Sequence, residues 1–130
     1  MSETDSDAIM VVMTAGSREE ASRLAEMLVG AHLAACVQIL PEIESVYRWE
    51  GKVHREPEVL MFAKTTLACF PELEREVRAL HTYDTPEIIA LPVTVGSAPY
   101  IEWLNDVVMT PYGARAAERH AEAPEEGVGQ

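Results

Sequence analysis

The stretch His81-Thr82-Tyr83-Asp84-Thr85-Pro86-Glu87-Ile88-Ile89-Ala90-Leu91-Pro92-Val93 carries polar chemistry in its first half and a decision about the fold in its second. Ile88 to Val95 is apolar and rich in β-branched residues, so it reads as a strand. Pro92 lies inside it and has no N–H to give to a ladder, which places that strand at the edge of a sheet. The first half gathers an imidazole, a phenol and two carboxylates at the mouth of the strand, a place where sites are commonly built. Asp84, Thr85 and Pro86 are also ordinary turn residues between a helix and a strand, and local evidence alone favours that plainer reading.

Upstream of this stretch, Pro71 fits the first turn of a helix, where its missing N–H is harmless. Phe70, Leu73, Val77 and Leu80 mark the buried stripe of that helix. Before it runs a long hairpin, from about Ala34 to Thr66. Ala34 to Leu40 reads as one strand, interrupted by Pro41 at an edge or a bulge, and Ile43 to Trp49 extends it. Glu50-Gly51 turns the chain, and Lys52 to Thr66 returns, ending in the apolar Val59-Leu60-Met61-Phe62-Ala63. The middle of the hairpin is too charged to pack on a small core, so it is expected to project and to contact another subunit.

Nearer the N-terminus, Ala8 to Thr14 is nearly all apolar, as a covered central strand requires. Ser17 and Glu20 have capping-box spacing for a helix whose buried stripe is Ala21, Leu24, Ala25, Leu28 and His32. Downstream, Gly96 and Ser97 lead into a last helix with Tyr100, Trp103, Leu104, Val107 and Val108 at helical spacing on one face. Residues 1–7 and 110–130 read as disordered ends around a single domain at 8–109.

The order β-α-β-β-α-β plus a C-terminal helix specifies an α+β, ferredoxin-like sandwich with an antiparallel sheet. Right-handed crossovers give the strand order 4-1-3-2. The apolar first and third strands are then central, and the proline-bearing fourth lies at an edge.

The chain has 130 residues, 48% of them apolar and 25% charged, ordinary proportions for one globular domain. Its formal net charge of −12 excludes a basic stripe for nucleic acid or an anionic membrane surface. No apolar run approaches the ~20 residues of a membrane span. Glu3, Asp5 and Asp7 are the wrong flank for a signal peptide. Cys36 and Cys69 are too few for a disulfide framework, so a cytoplasmic protein with reduced thiols is expected.

Three segments stand out together. They are Ala34-Ala35-Cys36-Val37-Gln38, then Ser45-Val46-Tyr47-Arg48-Trp49-Glu50-Gly51, and the opening stretch with Tyr100-Ile101-Glu102-Trp103 behind it. In this order the set resembles the CutA family, the divalent-cation tolerance proteins, over about Ala8 to Val108. The resemblance implies a ferredoxin-like protomer in a tight homotrimer, PII-like in architecture, with long hairpins running between subunits. It also implies an association with tolerance of copper and other divalent cations. Two positions depart from the family pattern. His81-Thr82-Tyr83 stands where the family reads His-Pro-Tyr, and Gln38 stands where it has Asn.

Cys36, the matching cysteine, is either a soft thiolate ligand for copper or a small buried hydrophobe, and free cysteine is most often the latter. His81 is the second candidate metal ligand. No H-x-x-x-H or C-x-x-C spacing supports a closed site within one chain. Lys64 matches a lysine common in the family; it either reaches an anionic ligand or pairs with Glu87, or it is a snorkelling lysine at a strand end. Tyr83, Glu87 and Trp103 are expected to converge near it in an intersubunit cleft, where they either bind a small polar or anionic ligand or form a satisfied polar network that locks the trimer. Tyr47 and Trp49 are expected to anchor the trimer interface. No nucleophile–base pair, phosphate loop or paired-carboxylate motif points to catalysis. The residues and the resemblance together indicate a non-enzymatic trimeric binding protein of divalent metal tolerance. A PII-like small-molecule sensor or scaffold is the alternative.

Overall fold

The computed structural model describes residues 8–108. The expected disordered ends at 1–7 and 110–130 lie outside the described residues. Four strands and three helices follow in the order β1 (Ala8–Ala15), α1 (Arg18–Gly30), β2 (Cys36–Trp49), β3 (Lys52–Thr66), α2 (Phe70–Leu80), β4 (Ile88–Pro92) and α3 (Ala98–Val107). The sheet is antiparallel with the order β2-β3-β1-β4, which is the expected 4-1-3-2 read from the other edge.

Hydrophobic alternation sets the register. Val11, opposite Ala63 on one side and Ala90 on the other, and Met13, opposite Met61 and Ile88, point to the helices. Against them pack Ala21, Leu24 and Leu28 of α1 and Leu73 and Val77 of α2, all fully buried. The other face holds Met10, Val12, Leu40, Leu60, Phe62, Ile89 and Leu91, which meet one another across the strands. Five of these seven are half-buried, while Ile89 and Leu91 are 53% and 45% exposed. The sheet thus carries a second apolar face that the helices among the described residues do not cover.

β2 is an edge strand with a bulge between Leu40 and Ile43, where Pro41 breaks the ladder as its missing N–H requires. Beyond the bulge the hairpin runs to Trp49 opposite Lys52, and Glu50 and Gly51 turn at φ 53° and 81°. Val46, Tyr47, Trp49 and Val53 near its tip are exposed.

Three local expectations are corrected. β4 stops at Pro92 rather than Val95. α1 ends at Gly30, so His32 lies beyond the helix stripe, in the left-handed region at φ 62°, and its ring Nδ1 meets the Val107 carbonyl at 3.1 Å. The apolar face of α3 is divided: Leu104 and Val108 are buried with Ile101 beside them, whereas Tyr100 and Trp103 are 41% and 40% exposed.

Candidate functional site

The expected site residues fall into two groups at opposite ends of the central strands. The first group gathers where β1 ends, at Ala15 opposite Val59. Ser17 caps α1 by accepting from the Glu20 amide at 3.1 Å. The Glu20 side chain does not complete a capping box at Ser17. Its Oε1 accepts from the Gly16 amide at 3.1 Å and from the Thr82 hydroxyl at 3.2 Å, and its Oε2 accepts from the Thr82 amide at 2.8 Å. Burial by itself would raise the Glu20 pKa. The Thr82 and Gly16 amides, with the neighbouring His81 and the Thr82 hydroxyl, more than offset this and hold the carboxyl below its ordinary range.

His81 closes α2 and is buried against this carboxylate. Its Nε2 lies 2.8 Å from the Thr14 carbonyl of β1, and its Nδ1 accepts from the Tyr83 amide at 3.0 Å. Both ring nitrogens are therefore engaged within the protomer, so this arrangement leaves His81 no lone pair for a metal ion. Tyr83 packs on the His81 ring, with centroids 4.7 Å apart, and donates its phenol proton to Glu58 Oε2 at 2.7 Å. Ser45 donates to the other Glu58 oxygen at 2.7 Å. Burial, then the bond to Glu58, pushes the Tyr83 phenol well above its ordinary range. Gly16 leaves room for this phenol, since a Cβ there would stand 3.2 Å from the phenol oxygen.

The second group sits where β2 begins. Cys36 is directly opposite Lys64, and both lie on the sheet face that the helices leave open. Lys64 Nζ donates to Gln38 Oε1 at 2.7 Å, so its partner is Gln38 and not Glu87. Cys36 Sγ is 3.4 Å from the Tyr100 hydroxyl, and the Tyr100 ring packs on Trp103 at 5.4 Å. Burial, then the contact with Cys36, pushes the Tyr100 phenol up to about 12. Cys36 is half-buried, whereas Cys69 is buried and its thiol is raised by that burial. A half-buried thiol at an open corner is the more accessible of the two to a soft metal.

The expected convergence of Lys64 with Tyr83 and Glu87 does not occur within the chain. Glu58, the partner of Tyr83, is six residues from Lys64 along β3, or about 20 Å at strand rise. Glu87 is exposed, immediately before Ile88 opposite Met13, while Lys64 lies opposite Met10. Trp103 does lie at the Lys64 end, through Tyr100 and Cys36. On the hairpin, Tyr47 stacks on His54 with centroids 5.4 Å apart and donates to Glu56, and Trp49 is half exposed. Among the described residues, no group of three or more His, Cys, Asp or Glu side chains is placed to hold a metal ion. Sequence reasoning missed Glu58 and the second role of Glu20. A carboxylate inside a charged hairpin and another inside a capping pattern gave no separate signal.

The comparisons with known proteins agree with one another. The family described as CutA1 divalent ion tolerance protein matches residues 9–107. The divalent-cation tolerance protein CutA of Thermus thermophilus is 45% identical over 97 residues, which are 75% of this chain and 94% of that protein. The chloroplastic protein CutA of Arabidopsis thaliana is 48% identical over 99 residues, 76% of this chain, and the match spans only 54% of that longer protein. Among solved structures, CutA1 of Oryza sativa superposes with a TM-score of 0.78 at 43% identity, over 82% of this chain and 97% of that one.

Proposed function

The chain belongs to the CutA1 divalent ion tolerance family, and from that premise we propose a non-enzymatic, homotrimeric binding protein that handles divalent cations, copper foremost. The observation that carries the reading is the open face of the sheet. Met10, Val12, Leu40, Leu60, Phe62, Ile89 and Leu91 form a contiguous apolar surface next to a long hairpin with aromatic residues near its tip. A patch of that kind on a small domain marks an association surface. Further copies of the chain cover it, with Tyr47 and Trp49 of each hairpin as anchors.

The metal function attaches to Cys36 at the corner of that face. One thiol is not a complete site, so the remaining ligands come from another copy. Lys64 and Tyr83 sit too far apart within a protomer to share a ligand. A cleft that uses Lys64, Tyr83, Glu87 and Trp103 together takes Lys64 and Trp103 from one subunit and Tyr83 and Glu87 from the next. That geometry supports a second reading, a PII-like sensor that binds a small polar or anionic molecule between subunits.

Three experiments test these readings. Sedimentation should give a trimer for the native chain and a monomer for Phe62→Asp; a folded Phe62→Asp variant that still sediments as a trimer would exclude the open face as the interface. Calorimetric titration of copper should lose a binding event in Cys36→Ala, and equal affinity and stoichiometry would remove Cys36 from the site. A thermal-shift screen of anionic metabolites addresses the sensor reading, because a ligand selective for the folded state raises its Tm.

A further inference from the structure

His81 stands between two groups that it cannot satisfy at the same time. The Tyr83 amide can only donate, so Nδ1 at 3.0 Å accepts and carries no proton. The ring proton is therefore on Nε2, which donates to the Thr14 carbonyl at 2.8 Å. Facing the same Nδ1 at 3.3 Å is Glu20 Oε2, with the His81 and Glu20 side chains 0% and 4% exposed. Three donors hold Glu20 as a carboxylate: the amides of Gly16 and Thr82 and the Thr82 hydroxyl. An unprotonated ring nitrogen and a carboxylate oxygen thus face each other in a buried site. A proton on Nδ1 would convert that opposition into an ion pair, but it would take the lone pair that the Tyr83 amide uses.

We infer that His81 is a proton-driven latch between the body of the protomer and the base of its hairpin. With the ring neutral, the Tyr83 backbone is docked, and its phenol holds Glu58 of β3 and, through Glu58, Ser45 of β2. With the ring protonated, the imidazolium pairs with Glu20, the Tyr83 amide loses its acceptor, and the phenol's hold on Glu58 loosens. The titratable groups that face the ring are Glu20 from α1 and Tyr83 from its own loop, with Glu58 behind Tyr83 and the Thr14 carbonyl on the β1 side. Thr82 supplies both an amide and a hydroxyl to Glu20. A proline at this position would offer neither the amide nor the hydroxyl that keeps Glu20 ionised.

The test is a pH titration of the full-length native oligomer by ¹⁵N NMR, following the His81 ring nitrogens and the Tyr83 and Ser45 amides. Near neutral pH the ring should show the Nε2–H tautomer. On acidification the ring, Tyr83 and Ser45 should move in one transition with a common midpoint, before the protein unfolds. Glu20→Gln removes the charge that receives the imidazolium and should lower that midpoint; the native titration alone decides the matter if this variant misfolds. The latch is overturned if Tyr83 or Ser45 stays still while His81 titrates. It is equally overturned if the ring keeps one neutral tautomer down to unfolding, or if it is already doubly protonated at neutral pH.

Discussion

The two ends of β3 differ in how they treat polar groups. At the Val59 end, Glu20, His81, Thr82, Tyr83, Glu58 and Ser45 form a connected network, and its core pair is almost completely buried. At the Lys64 end, Lys64, Gln38, Cys36, Tyr100 and Trp103 make their contacts on a half-exposed corner. Low dielectric strengthens the bonds of the first group and makes each of them costly to break. Water can replace the bonds of the second. Polar residues of similar type therefore do different work: the first group fixes the helix–strand junction, while the second stays open to solvent.

Substitutions should expose this contrast, most strongly at the buried end. Glu20→Ala leaves the Gly16 and Thr82 amides and the Thr82 hydroxyl without their acceptor and should cost about 3 kcal/mol in urea unfolding at a fixed chain concentration. Tyr83→Phe removes one bond to a charged acceptor and should cost about 1–2 kcal/mol by the same measurement. At the open end, Lys64→Ala should change stability by no more than about 0.5 kcal/mol. A large loss there would make the two ends alike and defeat the comparison.

The pH dependence of stability separates the ends further. The folded-state pKa of Glu20 is below its ordinary 4.5, so between the two values the unfolded chain binds more protons. The stability Glu20 contributes is present above about 4.5 and is lost as pH falls through its folded value. Tyr83 acts in the opposite direction: its raised pKa contributes stability below its ordinary 10, which is lost as pH rises through the folded value. Unfolding measured across acid pH should therefore show a flatter decline in Glu20→Gln than in the native protein. Above pH 10, Tyr83→Phe should flatten the alkaline decline. Unchanged limbs in both variants would show that the network does not couple to folding as its geometry implies.

Much of the fold was legible because each local signal had one physical meaning. Pro92 could sit only at an edge, and Pro41 only at an edge or a bulge. The apolar β1 and the apolar end of β3 needed central positions. Helix faces were less legible. Tyr100 and Trp103 have helical spacing with Leu104, yet they lie beside Cys36 at the sheet corner, and no periodicity records where on the sheet a helix docks. Cys36 and Lys64, both singled out from the sequence, are direct partners across β2 and β3. The pairing of Lys64 with Glu87 was wrong for one protomer, because sequence order gives the neighbours of a strand but not how far along it a side chain falls. His81 looked like a free ligand for a related reason: its two partners are backbone groups of Thr14 and Tyr83, and backbone acceptors and donors leave no mark in a sequence.

By itself the sequence determined the element order, the two central strands, the proline-marked edges and the family, because apolar period, turn residues and missing N–H groups act locally. Only the tertiary structure decided which polar residues meet. Residues 14, 20, 58 and 81 come together from β1, α1, β3 and the end of α2, and it is their packing that fixes which of them are buried and which lone pairs remain free.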